Sequence, residues 1–321
     1  MIRQILIQSF KIIISGFLIG FLLHKIGIHK VATYIGTANI YWLGGALSLF
    51  TASHFLGSFQ WKLLLSSESI QIPWKKIVSF YFVGLFFNNF LISGLGGDFF
   101  RMIDVRRYAK NGTGAVSTVF LDRFAGLFVL SAMSLLTAPL VLIREESRSY
   151  LEMPFAILVT GWIFVLFFLF NKKFARPFAW LLKKIIPEGI TAKVREVYQK
   201  IHNFGRNKKL LFKIIIISFV IQSARIMTHY LLGKSLGIRI SPLYFFLIIP
   251  MVAIMASLPI SLGGVGVREQ SGVVLFGIVG VSALQAFSME FLAYLVAVVS
   301  SIPGGIVFML RRKIETSAVK K

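Results

Sequence analysis

The chain has 321 residues, 56% of them hydrophobic and only 15% charged, with a mean hydropathy of +0.79. Soluble domains carry about 25% charged residues, so the composition excludes a soluble globular protein and points to the membrane class. The net charge is +23, from 35 basic and 12 acidic residues, and the absence of cysteine excludes disulfides, thiolate catalysis and Cys-ligated metals.

The basic residues cluster in loops between apolar runs, where nucleic acid has no route to a membrane-embedded core. Anionic lipid headgroups are the expected partner, since each juxtamembrane Lys or Arg contributes about 1 kcal/mol near an anionic surface. The apolar runs are continuous rather than alternating, so the expected fold class is all-α and polytopic, not a barrel. About six to eight transmembrane helices are expected, plus two discontinuous or re-entrant elements.

In chain order, Ile5–Leu23 reads as a first span. No small-residue cleavage site follows Leu23, so it is expected to be a retained helix rather than a signal peptide. Further spans are expected at Trp42–Leu65, Ala115–Ile143, Phe155–Phe170, Phe212–Leu232 and Phe287–Leu310. Three apolar stretches, Ile77–Leu95, Leu243–Leu258 and Gly272–Val281, are short or interrupted by Gly, Pro and Asn.

Residues 172–209 contain 11 Lys/Arg and two Glu, which places this stretch in the cytoplasm. The tail Arg311–Lys313 and the residues Arg3 and Lys11 place both termini there as well, in a cell membrane. Lys62, Lys75 and Lys76 precede the stretch 77–97, and Arg101, Arg106, Arg107 and Lys110 follow it. Both flanks belong on the cytoplasmic side, so 77–97 is expected to enter the membrane and return, broken at Asn88-Asn89 and at Gly94, Gly96 and Gly97. The same counting makes 243–285 begin and end outside, broken at Pro250, Pro259 and Gly263-Gly264-Val265-Gly266. The chain thus reads as one membrane domain over 1–321. N-terminal helices fill 1–171, a basic amphipathic segment fills 172–212, and C-terminal helices fill 213–321. Within the basic segment, Phe174, Phe178, Leu181, Leu182 and Ile185, and then Val194, Val197, Tyr198, Ile201 and Phe204, recur at helical spacing, as in helices lying in the interface.

The two breaks resemble each other. Each has a Ser (Ser93, Ser261), then Gly-Gly (Gly96-Gly97, Gly263-Gly264), then an Arg four residues beyond the second Gly (Arg101, Arg268). Paired glycines let backbone amides face an anion, and a helix starting there aims its positive end at the same point. An Arg one turn later adds a bidentate phosphate donor. Two other readings fit the same residues: glycines that only allow close packing, and a structural salt-bridge network among Asp98, Arg101, Asp122, Arg123, Arg268 and Glu269. Ser218, Gln222, Arg225 and His229 form one polar stripe on a membrane helix, so that stripe should face protein or a wet cavity. Glu290 reads either as interfacial or as a buried counter-ion. Arg106 and Arg107 read as interfacial anchors.

Three runs carry a family resemblance. Gly96-Gly97-Asp98-Phe99-Phe100-Arg101, Leu121-Asp122-Arg123-Phe124-Ala125-Gly126-Leu127, and Leu258-Pro259-Ile260-Ser261-Leu262-Gly263-Gly264-Val265-Gly266-Val267-Arg268-Glu269 resemble the lysylphosphatidylglycerol synthase transmembrane-region family, also called flippase-like domain proteins. The resemblance covers nearly the whole chain and implies a lipid translocase fold. In two-part members this region flips aminoacylated phosphatidylglycerol and a C-terminal soluble domain makes that lipid. No such domain follows Leu310 here, so lysyl transfer is not expected.

The expected function is therefore a flippase for an anionic phospholipid or a polyprenyl-phosphate-linked lipid. Gly96, Gly97, Asp98, Arg101, Asp122, Arg123, Arg225, Gly263, Gly264, Arg268 and Glu269 are its candidate binding residues. No Gly-x-x-x-x-Gly-Lys-Ser/Thr loop and no His-Glu-x-x-His is present, and His24, His29, His54, His202 and His229 show no metal-ligand spacing, so no cofactor or metal is implied. An intramembrane headgroup transferase and a non-catalytic partner of a separate lipid-modifying enzyme are the alternatives.

Overall fold

The computed structural model describes residues 2–90, 96–142, 156, 159–163, 200, 204, 207–258, 261 and 263–319. The expected span Phe155–Phe170 and the amphipathic segment 172–212 lie largely outside these residues.

Among the described residues ten helices run in order: α1 Ile2–Ile26, α2 Ile28–Gly36, α3 Ile40–Ser67, α4 Trp74–Phe90, α5 Gly96–Ala109, α6 Gly112–Leu142, α7 Lys208–Ser235, α8 Pro242–Ser257, α9 Val267–Ile278 and α10 Ala283–Val319. Among the described residues α6, α7 and α10 are long and apolar enough to cross a membrane, and α1 with α2 makes a fourth, bent candidate. The bend is 79° and falls at Gly27, whose φ of 94° suits glycine and few other residues. The caps are those the sequence provides. Asn39 Oδ1 accepts the Tyr41 and Trp42 amides at 3.0 and 3.4 Å, and Asn207 Oδ1 accepts the Leu210 amide at 3.1 Å. Ser241 precedes Pro242, which starts α8.

The direction of each helix follows from what meets its ends. The Asn39 amide at the start of α3 donates to the Ser235 carbonyl at the end of α7, 2.9 Å away. At the other end Leu64, Leu121 and Ile214 pack together, so α3 and α7 are antiparallel. The open end of the α4–α5 hairpin packs Ile77, Phe80 and Val105 with Ile70, Ile72 and Ala115, beside the end of α3. Arg311 of α10 reaches the same end, where its Nη1 donates to Asp104 Oδ2 at 3.0 Å and its Nη2 to the Ser79 hydroxyl. The α8–α9 hairpin opens on the opposite face, where Phe245, Phe276, Val281 and Ala286 pack with Leu232, Leu236 and Ile238.

Within the described residues α3–α4–α5–α6 and α7–α8–α9–α10 are thus two copies of one arrangement in opposite orientation. Equivalent helices have matching lengths, 28 and 28 residues for α3 and α7, 17 and 16 for α4 and α8, 14 and 12 for α5 and α9. Neighbours match too. α3 packs on α7; α4 packs on α10 as α8 packs on α6; α5 packs on α6 as α9 packs on α10. The two hairpins entering from opposite faces are those expected from loop charge. Their tips approach each other, since a Cβ on Gly263 would lie 3.9 Å from the Asn88 carbonyl oxygen.

Candidate functional site

Gly97 brings α5 directly onto α4. A Cβ there would sit 1.7 Å from the Gly84 carbonyl oxygen, and one on Gly84 would sit 2.7 Å from Arg101 Cγ. The Gly97 amide, free of an intrahelical partner in the first turn of α5, donates to Asn88 Oδ1 at 2.9 Å. This close approach lays the Arg101 stem over Gly84 and sets its guanidinium against two rings, 4.1 Å from the Trp61 centroid and 4.6 Å from that of Tyr81.

From there a polar chain crosses four helices. Arg101 Nη2 donates to Asp122 Oδ2 at 2.9 Å, and Nη1 reaches Asp98 Oδ1 at 3.4 Å. Arg123 Nε donates to Asp98 Oδ2 at 2.7 Å. Gln60 Nε2 donates to Asp122 Oδ1 at 3.0 Å, and Ser218 Oγ donates to Gln60 Oε1 at 2.8 Å. Asp98 and Arg101 are buried, whereas the Arg123 side chain is 49% exposed and keeps donors free.

This chain forms part of the wall of a cavity of about 300 Å³. The volume suits a headgroup or roughly ten waters, not a whole lipid. All four residues of the polar stripe on α7, Ser218, Gln222, Arg225 and His229, face into it, together with Gln60, Asn88, Asp122 and Arg123. Arg225 Nε is buried with no hydrogen-bond partner among the described residues. Three arginines (Arg101, Arg123, Arg225) stand against two aspartates (Asp98, Asp122), which leaves one positive charge uncompensated.

The second Gly-Gly run forms the other hairpin's tip. Gly264 and Gly266 have φ of 84° and 86°, and a Cβ on Gly266 would meet Leu18 Cβ at 2.8 Å, so glycine is required there both for conformation and for space. Glu269 folds back to accept the Gly266 amide at 2.6 Å, and its other oxygen accepts Arg268 Nη2 at 3.1 Å. Arg268 also lies 5.3 Å from the Tyr294 ring. His229 joins this cluster to the cavity, its Nε2 3.7 Å from Glu290 Oε2.

Of the residues singled out in the sequence, Arg101, Asp122, Arg123 and Arg225 line the cavity; Asp98 and Gly97 lie behind that wall, bonded to Arg123 and Asn88, and Gly96 does not line it. Gly263, Gly264, Arg268 and Glu269 gather at the second tip and do not line it. Sequence reasoning did not find Gln60, Trp61 or Tyr81, and it read Asn88 only as part of the hairpin's break. For α3 a signal existed: Ser53, His54, Ser58 and Gln60 interrupt an otherwise apolar run and are all buried. Among the described residues no group of His, Asp and Glu is arranged to hold a metal ion.

Residues 8–304 match the family model described as the lysylphosphatidylglycerol synthase TM region. The chain is also similar to a UPF0104 membrane protein of Pyrococcus horikoshii, with 25% identity over 329 aligned positions that cover 96% of this chain and 98% of the relative.

Proposed function

This chain belongs to the lysylphosphatidylglycerol synthase transmembrane-region family, and from that premise we propose that it is a lipid translocase that carries an anionic headgroup across a cell membrane by alternating access. The observation that supports this most is the cavity itself: an arginine-rich space with one excess positive charge, beneath hairpin tips that enter from opposite faces. Inverted repeats with broken helices meeting near the midplane are the architecture of many secondary transporters. In this reading Arg225 and the open face of Arg123 hold the phosphate, of a phospholipid or a polyprenyl-phosphate-linked lipid, while its tails stay in the bilayer. Asp98, Asp122 and the Trp61 and Tyr81 rings keep Arg101 in place behind them. The ends carrying Lys75, Lys76, Arg106 and Arg107 lie on the cytoplasmic side by the positive-inside rule.

The test is leaflet exchange of fluorescent phosphatidylglycerol and phosphatidylcholine in proteoliposomes, read by external quenching. Wild-type protein should accelerate exchange of the anionic lipid. Arg225→Ala and Arg123→Ala should slow it about 10- to 100-fold, the loss expected for one hydrogen bond to a charged group. Equal rates for wild type and both variants would refute the proposal.

A further inference from the structure

Glu290 is fully buried in α10, and neither of its carboxyl oxygens has a hydrogen-bond partner among the described residues. Gly272 of α9 makes the room it occupies, since a Cβ there would lie 2.7 Å from Glu290 Cγ. A bare carboxylate is expensive in such a place. What faces it is His229 Nε2, 3.7 Å from Oε2. The other ring nitrogen, Nδ1, is 3.0 Å from the Arg225 carbonyl oxygen. A carbonyl oxygen only accepts, so Nδ1 carries a hydrogen. Nε2 then holds either a lone pair or a second hydrogen.

A lone pair facing a carboxylate is repulsive. The contact is attractive in two states, imidazolium with carboxylate and imidazole with carboxylic acid, and both hold the same number of protons. Each has one proton more than neutral imidazole beside a carboxylate. The two side chains therefore form a site for a single proton.

Among the described residues the charged and titratable groups facing this site come from α7 and α9, while α2, which packs on α10 near Phe287, leaves its His29 and Lys30 exposed. Arg268 and Glu269 of α9 face Glu290 and are already paired with each other, so their charges nearly cancel. From α7 come His229 and, one turn away, Arg225. His54 of α3 meets α10 only at Ser300, about three turns along. Asp104 of α5 and Ser79 of α4 meet α10 at Arg311. The charge of this cluster thus varies with the Glu290–His229 pair: with Arg225 counted it is plus one with the proton and zero without it.

We infer that Glu290 and His229 bind one proton and couple its passage to that of an anionic headgroup in the central cavity, an inference that rests on the translocase reading above. His229 is the link, because it lines the cavity next to Arg225 and touches Glu290 behind it. A headgroup on Arg225 beside the deprotonated pair meets a like charge in a low-dielectric setting, and protonation removes that repulsion. Each ligand favours the other, by the same factor in both directions. For a phosphodiester with one negative charge the joint passage is electroneutral, so it follows a pH gradient and ignores membrane potential.

Two measurements decide it. In infrared difference spectra of purified protein between acid and alkaline pH, a protonated-carboxyl or an imidazolium band should vanish on alkalinisation and be missing from Glu290→Gln. No band, or the same band in the variant, overturns the proton site whether or not lipid moves. In potassium-clamped proteoliposomes containing labelled phosphatidylglycerol, an imposed pH gradient should drive the leaflet ratio about tenfold per pH unit, the free-energy equivalent of one proton. Glu290→Gln, whose amide donates to Nε2 as the carboxylic acid would, should still exchange lipid but hold the ratio near one. A wild-type ratio that ignores pH, or that follows a sodium gradient instead, overturns the coupling. If no lipid exchanges at all, the translocase reading fails and the coupling with it, while the infrared band still decides the proton site.

Discussion

Arg101 and Arg225 are the same side chain at the same cavity, yet their surroundings give them different tasks. Arg101 is buried, ion-paired to Asp98 and Asp122 and packed against Trp61 and Tyr81. Removing it leaves Asp122 without an ion-pair partner, held only by the Gln60 amide, and Asp98 with Arg123 alone, a loss of about 3–5 kcal/mol by analogy with other broken buried pairs. Arg101→Lys should not rescue it, because a single ammonium cannot bridge two carboxylates and pack against both rings at once. Arg225 Nε has no partner among the described residues, so Arg225→Ala removes an available donor without stranding a charge. The expected pattern is a large drop in thermal unfolding temperature for Arg101→Ala and Arg101→Lys, measured in detergent. Arg225→Ala should keep a near-wild-type unfolding temperature with impaired exchange. The opposite pattern would mean that Arg101 is the exposed ligand and Arg225 the scaffold.

At the level of elements, the decisive contact is backbone on backbone where α5 crosses α4. A methyl group on Gly97 has nowhere to go, because the Gly84 carbonyl oxygen would lie 1.7 Å from it and that oxygen belongs to a helix packed against α10. Gly97→Ala is therefore expected to destabilise the protein by about 1–3 kcal/mol or more, the range for overpacked sites. Gly44→Ala in α3, with nothing within 4 Å of the added methyl, should be neutral or slightly stabilising. Equal unfolding temperatures for the two variants would show that the hairpin is not packed this way. The breaks themselves were legible in the sequence, because Asn88-Asn89 and the glycine runs interrupt apolar stretches whose flanking charges conflict. The helix α2 was not. It is nine residues long, and its one fully buried position, Val31, packs with Phe287 of α10, a contact no local pattern announces. Gln60 and Tyr81 were missed for a related reason: an isolated polar or aromatic residue in an apolar run does not name its partner, and the carboxylate that meets Gln60 is 62 residues away. The repeat suggested that Arg101 and Arg268 play equivalent parts. The structure separates them, because Glu269 caps the Gly266 amide and holds Arg268 beside it, away from the cavity wall.

For the whole molecule, the arrangement of the two halves makes a claim about sidedness that no single contact makes. If α3–α6 and α7–α10 are inverted copies, the end of α5 and the turn between α9 and α10 lie on opposite faces of the membrane. Arg107 near the end of α5 and Ser282 in that turn are both exposed. The chain contains no cysteine, so Arg107→Cys and Ser282→Cys each introduce the only thiol present. A membrane-impermeant maleimide added to sealed vesicles should label one variant from outside and the other only after the vesicles are opened. Inverting the vesicles should exchange the two results. The Lys/Arg distribution further predicts that the Arg107 thiol is the one facing the cytoplasm. Labelling of both from the same face would mean that the hairpins enter from one side. The opposed helix tips that support alternating access would then have to be given up, even though the arginine-rich cavity would remain.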